Sequence, residues 1–493
     1  MSKNKKIIYF SLVLTLFSGF FSCKKALDIN TDPSNPTSAS VDLVMPAALI
    51  FTTYQMASPL QIPGGIWGQF WTQGPTANQY NDLEQYVITS ARFNGPWISL
   101  YSQALTDFKY LHDEGIRTGR KNYAAIGKIM QAYIFQYLTD LYGDIPFTEA
   151  LDPVNPTPKF DAQQTVYDGL IKLAEDGLAL VEESSGDHPG KDDLMYGGDM
   201  NSWKRFANTL KLRIYLRQAN VRAAVAEAGI KAMYAAGAQF LETGQDGDIE
   251  FTTQTFNRHP LYTTQQALTT ANILASTTAL SYLQNNNDPR IDIFYQRATV
   301  APNAGSYAGI VQGNGRNLTG VLDANMWSKP GPLVGGQKTN GGDAPVVLMS
   351  AAESYFLQAE AVARGWGNGN AQTLYSNGIR ASFSYWNLAG ADTYLAQPAI
   401  AYPASGSLLE KTDAIITQKW TSMNGTQNVE AWTEWRRTGY PDIFTISRAS
   451  NIGNVFPVRL LYPDTEISRN PNTPPQKAIT DKVWWDVNTT GQN

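Results

Sequence analysis

Apolar residues recur in steps of three and four through Tyr123, Ile126, Ile129, Met130, Tyr133, Ile134, Tyr137, Leu138 and Leu141. That is the period of a helix with one wide buried face. Ala124, Ala125, Gly127 and Ala132 add a ridge of small residues along which a second helix can approach closely. Gly143 supplies the left-handed residue that ends such a helix. Ile145-Pro146 then forces an extended exit, because proline disfavours the α region before it.

The helical period returns along the chain. It runs from Val41 to Met56, and through Val166, Leu170, Leu173, Leu178 and Val181 after an Asp161-x-x-Gln164 capping-box start. It recurs at Phe206, Leu210 and Ile214 within Trp203–Arg217, and from Val221 to Ala236, where Gly237 closes it. Val346 to Gly365 reads as one further helix, with a partner over Gln372 to Trp386. Trp67, Phe70 and Trp71 share a helical spacing, and a helix begins at Trp97. Lys211, Arg213 and Arg217 read as salt-bridged helix edges. Successive helices with small residues at their contacts predict a mostly α fold, a tetratricopeptide-like paired-helix scaffold with minor β.

Two segments break the period. Thr72 to Tyr86 has none, and it sets Tyr80 among Asn78, Gln79 and Asn81. Amides donate and accept hydrogen bonds, so they suit a ligand edge beside a flat ring. Asp288 to Pro345 is long and glycine-rich, and it carries Tyr295, Tyr307 and Trp327 off any periodic face. Long loops on a rigid scaffold are where binding residues collect. Phe251-Thr252-Thr253 is strand-like. The predicted ligand contacts are Trp71, Tyr80, Asn81, Tyr307 and Trp327, with the ligand between Thr72–Tyr86 and the Ala301–Pro345 loops.

Composition narrows the classes. Hydrophobic residues at 43% and charged ones at 16% over 493 residues describe a globular protein that can bury one or two large cores. A net charge of −5 argues against nucleic acid, which needs a basic footprint. Three dispersed histidines and one cysteine argue against a zinc site. Asp28-x-Asn30-x-Asp32 opens like a calcium loop, but Pro33 stands where glycine is needed and Ala39 where glutamate is. No metal, cofactor or catalytic residue is expected.

The N-terminus predicts an anchor. Lys3, Lys5 and Lys6 precede an apolar run from Ile7 to Phe21, which ends at Ser22-Cys23. A small residue before a lone cysteine looks like a bacterial lipobox, with residues 1–22 as its signal peptide and Cys23 as the lipidation site. One acyl chain holds a protein only marginally, at roughly 0.8 kcal/mol per buried CH₂, so stable anchoring takes two or more. No later segment reads as the roughly 18 apolar residues of a membrane span. The chain is expected to be tethered to a membrane and not to cross it.

Several strings resemble one family. Asp140-Leu141-Tyr142-Gly143-Asp144-Ile145-Pro146-Phe147-Thr148-Glu149-Ala150 fits D-x-Y-G-D-[IV]-P-[FY]-x-E-A, a hallmark of the SusD/RagB outer-membrane nutrient-binding lipoproteins. Trp203 to Arg213, Met349 to Gly365, Glu430 to Pro441 and Pro457 to Asn470 resemble further motifs of that family. The resemblance implies one domain over 23–493. Its scaffold would span about 41–240, 346–386 and 408–440, with a loop-rich ligand-binding face from 241–345 and 441–493. It also implies a glycan, oligosaccharide or peptide ligand and no bond chemistry. The partner it implies is a SusC-like TonB-dependent transporter, and the location is the outer membrane, facing the cell surface and held by lipid on Cys23. Arg436, Arg437 and Arg459 would be buried partners for carboxylates and carbonyls. Two rival readings are a membrane-anchored helical glycoside hydrolase or lyase, with two carboxylates roughly 5–10 Å apart, and a helical-repeat scaffold lipoprotein.

Overall fold

The computed structural model describes residues 39–489 apart from 185, 321 and 340. The proposed signal peptide, Cys23 and the segment to residue 38 lie outside the described residues.

The helix predicted first runs from Lys121 to Tyr142. It is buried all round, not on one face: every residue is buried except Lys121 and Lys128. Small residues make this possible. A Cβ on Gly127 would fall 2.6 Å from the carbonyl oxygen of Phe108, so the Thr106–Thr118 helix lies directly against it there. On another side, a Cβ on Gly177 would meet Ile129 at 2.7 Å, which seats the Gln163–Leu180 helix. The helix ends as expected, at Gly143 with φ +90°.

Around it stand further antiparallel neighbours: Met200–Arg217 with Ala223–Ala235, Ala351–Ala363 with Ala371–Tyr385, and Leu408–Ser422 with Asn428–Thr438. These form the expected paired-helix scaffold. Among the described residues, three two-stranded antiparallel ladders make up the minor β: Trp71–Gln73 with Ile273–Ala275, Ile145–Pro146 with Phe160–Asp161, and Gly247–Ile249 with Val346–Met349.

Several local expectations change. Val346–Met349 is a strand, and the helix after it starts at Ala351 with Ser350 as its N-cap, bonded to the Glu353 N–H. A short continuous apolar run reads equally as strand or helix until its partner is known. The strand-like segment lies at Gly247–Ile249 rather than at Phe251. Asp161 does not cap the following helix: its carboxylate accepts from the Phe147 and Thr148 N–H groups. Asp144 instead accepts from the Gln163 N–H at 3.2 Å. Trp71 leaves the helix of Trp67 and stands in a strand, because the Gln61–Trp67 helix stops at Gly68. The stretch Val41–Trp67 is long and apolar enough to cross a membrane, contrary to the sequence reading. It is two helices, Val41–Ala57 and Gln61–Trp67, and over half of its apolar window is buried inside the protein.

Arg213 and Arg217 are not helix edges. Both are buried in an ion network that joins the scaffold helices. Arg213 meets Glu353 at 3.4 Å, and Arg217 meets Asp140 at 3.3 Å as well as Glu430 and Glu434. Lys419 lies 3.2 Å from Glu434 and 3.5 Å from Glu353. Arg437 holds Glu360 at 2.6 Å and Glu434 at 2.8 Å. Burial alone would raise the Glu434 carboxyl, but Arg437, Lys419 and Arg217 outweigh it and hold it well below the usual glutamate value. Lys211 is a true edge, paired with Glu175 at 2.6 Å. Arg436 and Arg459 donate to backbone carbonyls, Arg436 to those of Asp140 and Val458 and Arg459 to that of Tyr142, as the motif reading expected.

Candidate functional site

The Trp71–Gln73 strand ends at Gly74, and the chain then turns through Pro75 to Gln79 before the short Asn81–Gln85 helix. Its ladder partner, Ile273–Ala275, is preceded by Ala267 to Asn272. The two segments diverge from the same ladder end and enclose a cavity of about 560 Å³, with Arg316 on its rim. The walls are cross-braced below: the Gln79 N–H donates to Asn272 Oδ1 at 3.3 Å, and Gly74 N–H to the Asn272 carbonyl at 2.9 Å.

The lining is polar and nearly uncharged. Thr76, Asn78, Gln79 and Thr269 are exposed within it. The side-chain amides of Asn78 and Gln79 make no hydrogen bond with any described residue, so their donors and acceptors face solvent. An amide offers a carbonyl and an NH₂ side by side, which matches a sugar hydroxyl that both donates and accepts. Among the described residues, the groove walls contain no carboxylate and no aromatic ring.

Beneath the groove lies Glu84, fully buried. It accepts from Thr72 Oγ1 at 2.7 Å, from the Gln73 N–H at 2.8 Å and from Gln312 Nε2 at 3.2 Å. Burial pushes its carboxyl up to about 7, against the lowering effect of those donors. Gln312 also donates to the Ile66 and Trp71 carbonyls, so one amide fixes the far loop to the helix and strand under the groove.

The predicted contacts separate here. Asn81 lines the groove, and its Oδ1 accepts from Gln73 Nε2. Trp71 is wholly buried, with the backbone of Gly65 pressed against its ring. Tyr80 is also core: only 3% is exposed, and its hydroxyl accepts from Gln265 Nε2 at 3.2 Å. Both are corrections, because a ring enclosed on both faces has no surface left for a ligand. Tyr295 is buried in the same way, its hydroxyl bonded to the Phe70 carbonyl. Tyr307 is half-buried, bonded to Asp292 and covered by Arg297 at 4.3 Å. Trp327 is half-buried beside Ser328, whose carbonyl accepts from the Ala275 N–H. Ala275 pairs with Trp71, at the end of the ladder away from the groove. Thus Tyr307 and Trp327 do not line the groove, although its rim residue Arg316 does come from the predicted loops. Thr269, Thr270, Asn272 and Arg316 were not foreseen. The only sequence signal for the first three is a polar Thr-Thr-Ala-Asn run directly before a strand.

A slightly larger cavity, about 610 Å³, lies on the scaffold beside the Met200–Arg217 helix. Its cations are already engaged: Lys204 with Glu183, Arg205 with Glu242, and Lys211 with Glu175. The groove at Pro75–Asn81 is therefore the stronger candidate, because the side chains of Asn78, Gln79 and Arg316 have no partner there among the described residues.

Comparison with known proteins agrees with this architecture. A family model described as "Starch-binding associating with outer membrane" matches residues 33–463. The chain belongs to this SusD-like family. Among solved structures, a chitin-binding protein is 27% identical, with a TM-score of 0.75 over 90% of this chain and 100% of that one. A chitin-binding SusD homologue from Flavobacterium johnsoniae is 23% identical, with a TM-score of 0.77 over 92% of this chain and 99% of its own. A SusD homologue from Bacteroides uniformis, also 23% identical, gives 0.75 over 90% and 99%. These likenesses extend across the SusD-like scaffold and its loop-rich face together. No curated protein matches the chain.

Proposed function

We propose that this SusD-like chain captures a glycan or oligosaccharide in the groove between Pro75–Asn81 and Ala267–Asn272 and passes it to a SusC-like TonB-dependent transporter. The observation that carries the reading is the pair of unengaged side-chain amides, Asn78 and Gln79, in a polar groove on a scaffold shared with chitin-binding relatives. Acyl chains on Cys23 would hold the protein at the outer membrane, facing the cell surface.

The role is binding without hydrolysis. A glycosidase needs two carboxyl groups flanking the scissile bond, and the groove walls carry none. Glu353, Glu360 and Glu434 are committed to arginines and Lys419 in the scaffold. Asp246 and Asp248, whose carboxyls burial pushes up to about 6 and about 7, are engaged by the Ala351 N–H and the Tyr385 hydroxyl.

Calorimetric screening of the purified chain against starch, chitin, xylan and pectin oligosaccharides tests the reading. Binding of one class, with no release of reducing ends, supports it. Binding of none of them, or hydrolysis that disappears with one carboxylate pair, overturns it.

A further inference from the structure

The charge balance of the groove narrows the ligand class, and this step rests on the glycan reading above. Among the described residues, Arg316 is the one charged residue lining the groove, and it is exposed. It forms no hydrogen bond or ion pair with any described residue. Most other arginines of the protein are paired, either with carboxylates, as Arg92 is with Asp82 and Arg297 with Asp292, or with carbonyls, as Arg459 is.

Its backbone is held in place. Arg316 sits in the Gly315–Asn317 turn. A Cβ on Gly315 would fall 2.7 Å from the Gln73 carbonyl oxygen, so the turn is seated directly on the strand that opens the groove. Gln312, three residues earlier, is tied to Ile66, Trp71 and Glu84. The carbonyl of Gln312 also accepts from the Arg448 N–H at 3.0 Å. Arg448 is exposed on that adjoining turn and forms no ion pair with any described residue. Glu84, beneath the groove, is buried and occupied by Thr72, Gln73 and Gln312, and Asp82, next to the groove residue Asn81, is paired with Arg92. The rim is therefore positive, with no carboxylate in the groove walls to cancel it.

We propose that the groove selects glycans bearing an acidic group, a carboxylate or a sulfate, and that Arg316 reads that group. A guanidinium offers paired N–H groups in one plane, the geometry of a bidentate bond to either anion. The amides of Asn78 and Gln79 then contact the hydroxyls of the same or neighbouring sugars.

The test is calorimetry on the intact chain in detergent with four probes: an oligogalacturonate, its methyl ester, a sulfated galactan oligosaccharide and its desulfated form. At least one acid should bind about tenfold tighter than its neutral counterpart. That advantage should shrink as salt rises from about 50 mM to about 500 mM. Arg316→Gln should abolish the advantage. Which acid holds the advantage distinguishes carboxylate from sulfate. The inference is overturned if neither acid outbinds its counterpart, or if the advantage survives Arg316→Gln. Binding of a neutral glycan that is lost in Asn78→Ala, without any acid preference, would remove this inference and leave the capture reading standing. Failure of every glycan to bind would remove both.

Discussion

Two nitrogens of Arg437 contact the two carboxylate oxygens of Glu360, at 2.8 and 2.6 Å, and neither side chain is accessible to solvent. The pair joins the Ala351–Ala363 helix to the Asn428–Thr438 helix across 77 residues of chain. It ties the middle of the scaffold to the C-terminal motif that carries the family resemblance. Burying two charges costs more than their attraction returns unless the geometry and the remaining hydrogen bonds are good. Here Arg364 also donates to Glu360, and Glu434 accepts from Arg437, so few polar atoms of the pair are left over. Glu360→Gln would leave a buried guanidinium underpaired and should lower stability by roughly 3–5 kcal/mol. Denaturant unfolding of the purified variant measures this. A loss within experimental error would mean that the network is dispensable.

Stability should depend on pH with two opposed slopes. The Glu360, Glu430 and Glu434 carboxyls lie below the usual value of 4.5: burial pushes them up, but the neighbouring arginines and Lys419 outweigh it. Their contribution is complete above about 4.5 and is lost as pH falls below it. Glu84 behaves oppositely. Its folded value of about 7 exceeds its unfolded one, so stability falls as pH rises from 4.5 to about 7. The loss is on the order of 3 kcal/mol. Asp246 and Asp248 add to the same slope, so Glu84→Gln should make it shallower by Glu84's share and be the more stable form at pH 8. Urea unfolding of both proteins at pH 4.5, 6 and 8 decides the matter. Parallel curves for the two would show that Glu84 does not titrate as argued.

The anchor gives a third expectation. Cys23→Ala should release the protein from membranes with its fold intact, since acyl chains are the proposed hold. Fractionation of cells lacking the partner transporter is the measurement. Continued partition with the outer membrane would contradict lipid anchoring.

Much of the scaffold was legible because its helices obey one period over many residues. Lys121–Tyr142 ends at the glycine that its sequence nominates. Short segments were harder. Val346–Met349 is apolar without a period, and only its pairing with Gly247–Ile249 makes it a strand. Arg213 and Arg217 look like surface residues until the acids that neutralise them, from helices more than a hundred residues away, come into view. The site was half legible. Asn78, Gln79 and Asn81 mark a polar loop in any reading, and they do line the groove. Rings were the misleading signal. Tyr80 and Tyr295 stand in unperiodic segments, yet those segments are themselves packed into the core, and Trp71, which shares a helical spacing with Trp67, is core as well. The opposite wall comes from residues 267–272, where neither period nor motif announces a site.

The central claim, that the amide-lined groove is where ligand binds, is tested most directly by one titration series. Wild type, Asn78→Ala/Gln79→Ala, Tyr80→Ala and Trp327→Ala are titrated with the best glycan from the screen, each with its melting temperature. The double groove variant should lose about tenfold or more in affinity, at roughly 1 kcal/mol per lost hydrogen bond, with an unchanged melting temperature. Tyr80→Ala should melt earlier, by a core loss of roughly 3–5 kcal/mol, and Trp327→Ala should bind normally. Full affinity in the double variant, with the loss appearing in Trp327→Ala instead, would contradict the account and move the site to the aromatic loop.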